Sequence, residues 1–105
     1  MPVLNKSSKG FVGIITAELY FPDNGSLKGK RMYLRRIRDQ VTRRHGASFA
    51  EVGHQDLWQR SRVVLAVAAS DLQVLEETLD RLRGYLDSQE WVLASADVEV
   101  VDVDE

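Results

Sequence analysis

A chain of 105 residues with no cysteine, 44% apolar and 29% charged, has to fold around one hydrophobic core, without disulfides, thiolate chemistry or cysteine-ligated zinc. No apolar run reaches transmembrane length and the opening residues are polar where a signal peptide needs its hydrophobic segment, so a soluble cytoplasmic protein with no membrane partner is expected. The net charge of -2 conceals twelve Lys/Arg against five Asp/Glu in residues 1–62 and two against eleven in residues 63–105, an asymmetry that fits separate solvated faces, a partner-binding side or head-to-tail self-association.

Residues 1–9 are polar and aperiodic and read as a flexible leader, which leaves 10–105 as the single domain. From Gly10 to Phe21 the pattern alternates. Phe11, Ile15, Ala17, Leu19 and Phe21 share one side with Gly13, and Val12, Ile14, Thr16, Glu18 and Tyr20 share the other. One fully apolar face and one mixed face predict a central strand of a sheet covered on one side. Pro22-Asp23-Asn24-Gly25 stops that strand, and the Ser26 hydroxyl is suited to cap a helix. Leu27, Tyr33, Leu34, Ile37 and Val41 then recur at helical spacing as far as Gly46, which offers a left-handed stop. Lys28, Arg31, Arg35, Arg36, Arg38 and Arg43 spread over the other side, and Asp39 is the only acid between Leu27 and Arg44. This basic face is nearly uncompensated.

Ala47 to Val52 reads as a short strand whose facing stays open, because Phe49 and Val52 fall on opposite sides of the pleat. Arg62 to Ala69 is apolar on both faces, as a sheet interior requires. Ser70 is expected to cap the second helix with Gln73 completing a capping box, and Leu72, Leu75, Leu79, Leu82 and Leu86 form its inner stripe. Trp91 to Val103 alternates again, with Val92, Ala94, Ala96, Val98 and Val100 inward; the reversal of phase at Val101 and Val103 predicts a bulge or the end of regular pairing. Strand, helix, strand, strand, helix, strand with right-handed crossovers gives a ferredoxin-like α+β sandwich: a four-stranded antiparallel sheet in the order 4-1-3-2, both helices on one face.

That topology brings three connections to one end of the sheet. It gathers Asn24, Ser26, Lys28 and Lys30 with His54, Gln55, Asp56, Trp58 and Arg60, and with Gln89 and Trp91. The start of the first helix adds free N–H groups and a positive dipole, which makes an anion or phosphate site there an expectation. Base stacking on the sheet, in the manner of RNA-recognition motifs, is disfavoured: the third strand has no aromatic residue, and Glu18, Asp97 and Glu99 place negative charge on or beside that face. Val12, Ile14, Val64 and Ala66 are apolar on the uncovered side and call for a cover, most simply a second copy of the chain.

The stretch Gly53 to Ser61 is the one that periodicity does not explain. An acid–base pair of His54 with Asp56 or Glu51 has no serine or cysteine nucleophile beside it, and His54, Asp56 and His45 show no metal-ligand spacing, so neither an enzyme nor a cofactor or metal is expected. A small hydrolase built on Ser26 is the weakest reading considered. Gln55, Asp56 and Gln59 are suited to satisfying the backbone of the turn, and Trp58 reads equally as a lid over the core or, beside Arg60, as an interface anchor.

Two motifs, Gly25-Ser26-Leu27-Lys28-Gly29-Lys30-Arg31 and Ala50-Glu51-Val52-Gly53-His54-Gln55-Asp56-Leu57-Trp58-Gln59-Arg60, resemble the YlxP-like family of small bacterial proteins. The resemblance covers about residues 10 to 104. It implies a ferredoxin-like fold without established enzymatic activity, and a link to ribosomal RNA or a ribosomal subunit, since genes of that family commonly lie near those for translation initiation and ribosome maturation. Gly29 departs from it, standing where the family often has Glu. The leading expectation is a non-enzymatic RNA-binding or ribosome-associated accessory protein using Lys28, Lys30, Arg31, Arg35, Arg38 and Arg60. Its rival is a homodimeric protein-interaction module docking a partner through the loop of His54, Gln55, Asp56, Trp58 and Gln59.

Overall fold

The computed structural model describes residues 9–87 and 90–104. The leader assigned to residues 1–9 falls almost entirely outside them, as does Gln89. The elements run β1 (Lys9–Tyr20), α1 (Leu27–His45), β2 (Ser48–Gly53), β3 (Arg60–Ala69), α2 (Leu72–Asp87) and β4 (Val92–Asp104). The sheet order is β2-β3-β1-β4 with every neighbour antiparallel, the expected ferredoxin-like arrangement. No described helix is long and apolar enough to cross a membrane.

One core lies between the sheet and the helices. Ile15, Ala17, Leu19 and Phe21 continue the inward face of β1, and Val63 and Leu65 that of β3. They meet Leu34, Ile37 and Val41 from α1 and Leu75, Leu79, Leu82 and Leu86 from α2. Apart from Ala17, each such side chain contributes about 1.5–3 kcal/mol by leaving water. Ser26 caps α1 by accepting from the Gly29 N–H at 2.9 Å, and Gly46 ends it at φ 65°, a left-handed conformation that a Cβ would oppose.

Three local readings need correction. The cap of α2 is Asp71, whose Oδ1 accepts from the Val74 N–H at 3.0 Å, while the Gln73 side chain turns to Glu77; a carboxylate at the positive helix end wins over the Ser70 hydroxyl. Leu72, in the first turn of α2, is exposed, so the buried stripe begins at Leu75. In β4 the irregularity sits at Ala94, where the register steps from Glu18 opposite Ser95 to Leu19 opposite Leu93. Leu93 therefore packs on the core and Val92 is exposed, whereas Val101 and Val103 remain in regular pairing and lie on the open face.

The end of the core beneath the loops is closed by aromatic rings. Trp91 is 4% exposed, donates its indole N–H to the Leu86 carbonyl at 2.8 Å, and meets Phe21, Tyr33 and Tyr85 edge-on. The lid is Trp91, not Trp58.

Candidate functional site

Lys30 does not face solvent. At i+3 from Leu27 and i−4 from Leu34 it falls on the apolar stripe of α1, and its side chain is 2% exposed. Its ammonium lies 2.9 Å from Glu51 Oε2 and donates to the carbonyls of His54 at 2.8 Å, Gln55 at 3.2 Å and Arg60 at 3.2 Å. Glu51 accepts further from the hydroxyl of fully buried Ser61 at 2.7 Å. A phosphate-binding role for Lys30 is thereby corrected: with its donors committed to protein oxygens inside the fold, it staples both ends of the β2–β3 loop to α1.

Asn24 and Gln59 hold the loop from the other side. Asn24 Nδ2 donates to the Trp58 carbonyl at 2.6 Å and to the Ser26 carbonyl at 2.8 Å, and Gln59 Nε2 donates to the carbonyls of Pro22 at 3.0 Å and Asn24 at 3.1 Å. The Phe21 N–H reaches the Gln59 carbonyl at 2.8 Å. Gly29 makes this approach feasible, because a Cβ there would collide with Asn24 Oδ1. The departure from the resembling family at Gly29 thus has a steric reason in this chain.

His54 turns the corner at φ 59°, a sparsely populated conformation for a residue with a side chain, and is held there from two directions. Lys30 takes its carbonyl, and its ring Nε2 lies 3.0 Å from Glu18 Oε1 on the open sheet face. Glu18 also accepts from Arg62 Nε; that hydrogen bond, against partial desolvation, holds its carboxyl below its ordinary value of 4.5. His54 is therefore paired with neither Asp56 nor Glu51. Ser26, the remaining catalytic candidate, uses its hydroxyl oxygen as the helix cap.

With its backbone fixed at so many points, the loop presents Trp58 outward. Trp58 is 54% exposed and, with Asp56, Leu57, Gln59 and Arg60, borders a hollow of about 360 Å³. Of the two readings of Trp58, this exposure excludes the lid over the core.

The basic residues of α1 divide into two groups. Lys28, Arg31, Arg35 and Arg38 recur at i, i+3, i+7 and i+10, a row about 15 Å long flanking the buried stripe. Arg31, Arg35 and Arg38 line a groove of about 260 Å³ over Leu34, Phe49 and Glu51, beside the sheet edge formed by β2, with the Arg38 guanidinium 5.7 Å from the Phe49 ring centroid. Among the described residues none of these four cations has a carboxylate within 4.0 Å. Arg36 belongs to the other flank, paired with Glu90 at 3.1 Å and lying over Tyr33. Hydropathy missed the buried Lys30–Glu51–Ser61 triad, although two signals mark it: Lys30 sits in phase with Leu27, Leu34 and Ile37, and Glu51 in phase with Phe49.

A βαββαβ sandwich with a cationic helix flank and a loop locked by a buried lysine defines a small α+β protein of the ferredoxin-like class. The chain belongs to the family described as "Protein of unknown function (DUF503)", whose pattern matches residues 12–104. It is similar to "Uncharacterized protein YlxP" of Bacillus subtilis (strain 168), with 36% identity over 77 residues that cover 73% of this chain and 84% of that protein. The resemblance carried by the two motifs is thus one of family membership.

Proposed function

We propose that the protein is a non-enzymatic, RNA-binding accessory factor that associates with a ribosomal subunit through the outer flank of α1. The observation that carries this reading is the row Lys28, Arg31, Arg35 and Arg38, four cations in line without carboxylate partners among the described residues. Steps of three and four residues place charges about 5–6 Å apart, a spacing suited to successive phosphates of a nucleic-acid backbone. Arg60 and exposed Trp58 lie on the loop that Lys30 ties to the same helix, which supports a further phosphate contact and a stacking surface in this reading.

Sucrose-gradient sedimentation of ribosomal subunits with the purified protein tests this. Association is expected at low salt and loss at high salt, with log K falling against log salt at a slope of about −3 for four single-strand phosphate contacts. The double variant R35E/R38E is expected to abolish it. Association insensitive to both salt and charge reversal rejects the reading.

One observation favours a second reading, docking of a protein partner through Trp58: a large, exposed aromatic on a loop whose backbone is already ordered binds with little further entropic cost. In the same gradients, W58A would then abolish association while R35E/R38E leaves it intact.

A further inference from the structure

The two edges of the sheet carry matching grooves of opposite charge. At the β2 edge, Leu34, Phe49 and Glu51, the last neutralised by Lys30, form the floor and Arg31, Arg35 and Arg38 the rim. At the β4 edge a groove of about 340 Å³ has Leu79, Val98 and Val100 as its floor and Glu76 and Asp80 of α2 as its rim. Val98 and Val100 pair with Ile15 and Gly13 and so belong to the helix-covered side of the sheet, yet they are 44% and 39% exposed. Among the described residues both β2 and β4 are edge strands with one unpaired row of backbone N–H and C=O groups.

The geometry points to head-to-tail self-association, in which the β4 edge of one copy pairs with the β2 edge of the next and extends the sheet. Strand direction fits this: along β2-β3-β1-β4 every neighbour is antiparallel, so β2 and β4 run oppositely and a copy translated across the sheet again presents an antiparallel partner. Layer spacing fits as well. Four strands at about 4.8 Å repeat every 19 Å or so, the width of two helices about 10 Å apart, so the α2 of one copy falls beside the α1 of the next. Arg31, Arg35 and Arg38 then face Glu76 and Asp80 across the junction, and the exposed Val98 and Val100 are covered. Charges at sheet edges ordinarily oppose pairing, and here they oppose only like with like: two β2 edges or two β4 edges repel, whereas the unlike edges attract. The occupant of each groove is a second copy of this chain, and since the contact is heterologous it continues beyond a dimer.

Sedimentation velocity on the full chain tests the inference with two surface variants whose folding is checked by circular dichroism. The wild type is expected to form a concentration-dependent series larger than dimers at low salt, reverting to monomer as salt is added. E76K/D80K places cations on both groove rims and R35E/R38E places carboxylates on both, so each alone is expected to remain monomeric. Mixed in equal amounts the two variants present complementary edges again, and the series is expected to return. A wild type that stays monomeric at its solubility limit, a closed dimer that does not grow, assembly surviving in either variant, or no recovery on mixing would each overturn the inference. Because E76K/D80K leaves the α1 cations in place, it separates this assembly from RNA association: loss of the series with retention of ribosomal binding supports both.

Discussion

Lys30 and Glu51 meet at 2.9 Å on the inner sides of α1 and β2, and the same ammonium caps carbonyls at both ends of the β2–β3 loop. Removing the lysine leaves a partly buried carboxylate and three carbonyls without their donor. Lys30→Met is therefore expected to lower stability by about 3–5 kcal/mol, read as a fall in the urea midpoint. It is also expected to loosen the loop, seen as faster limited trypsin cleavage after Arg60. A variant as stable and as protease-resistant as the wild type would show that the staple is dispensable.

The two tryptophans make opposite predictions. Trp91→Ala opens a cavity among Phe21, Tyr33 and Tyr85 and strands the Leu86 carbonyl, a loss of about 3–5 kcal/mol, whereas Trp58→Ala on the exposed loop is expected to change stability by less than about 1 kcal/mol. Fluorescence separates them without a stability measurement: W58F should leave the blue-shifted emission of a buried indole, and W91F the red-shifted emission of a solvated one. Matching spectra for the two would contradict the burial assignments.

The architecture was legible because hydrophobic periodicity depends on each element separately: β1 and both leucine-rich helix faces appear in the structure on the sides that their spacing indicates. The site was only partly legible, because its decisive groups act against type. Lys30 is a cation on an apolar stripe, and hydropathy assigns it to solvent although the oxygens that satisfy it come from residues 21 to 30 positions away. The role of Trp58 depended on whether another aromatic closed the core, and Trp91 did so. The phase of β4 was misread at Val92 and Ala94 because a single bulge residue reverses every side chain on one side of it.

Gly29 offers a test in which the usual sign is reversed. Glycine inside a helix ordinarily costs about 0.5–1 kcal/mol relative to alanine, so Gly29→Ala would stabilise an isolated helix. Here the added Cβ collides with Asn24 Oδ1 and displaces the side chain that holds the Trp58 carbonyl. Gly29→Ala is expected to destabilise, and Gly29→Glu to do the same despite supplying a capping-box partner for Ser26. In the Asn24→Ala background, where the obstacle is gone, Gly29→Ala should regain its ordinary stabilising effect. Denaturant midpoints of the four proteins in this cycle measure the coupling directly, and additive effects would contradict the contact.

Acidification should weaken the fold in two steps. Burial, reinforced by the Arg44 and Arg81 charges, holds the His45 imidazole below its ordinary value of 6.5. The hydrogen bond from Arg62 outweighs partial desolvation and, with His54, holds the Glu18 carboxyl below 4.5. In both groups the native state favours the deprotonated form, so the stabilisation is complete above the ordinary value and is lost as pH falls through the folded-state value. The first loss belongs to the range below pH 6.5 and tracks His45; the second belongs to the range below pH 4.5 and tracks Glu18. His45→Gln should flatten the upper step of a plot of urea midpoint against pH while leaving the lower one, and Glu18→Gln should do the reverse. Unfolding midpoints collected from neutral pH downward distinguish the steps, and an upper step that persists in His45→Gln would assign it to another group.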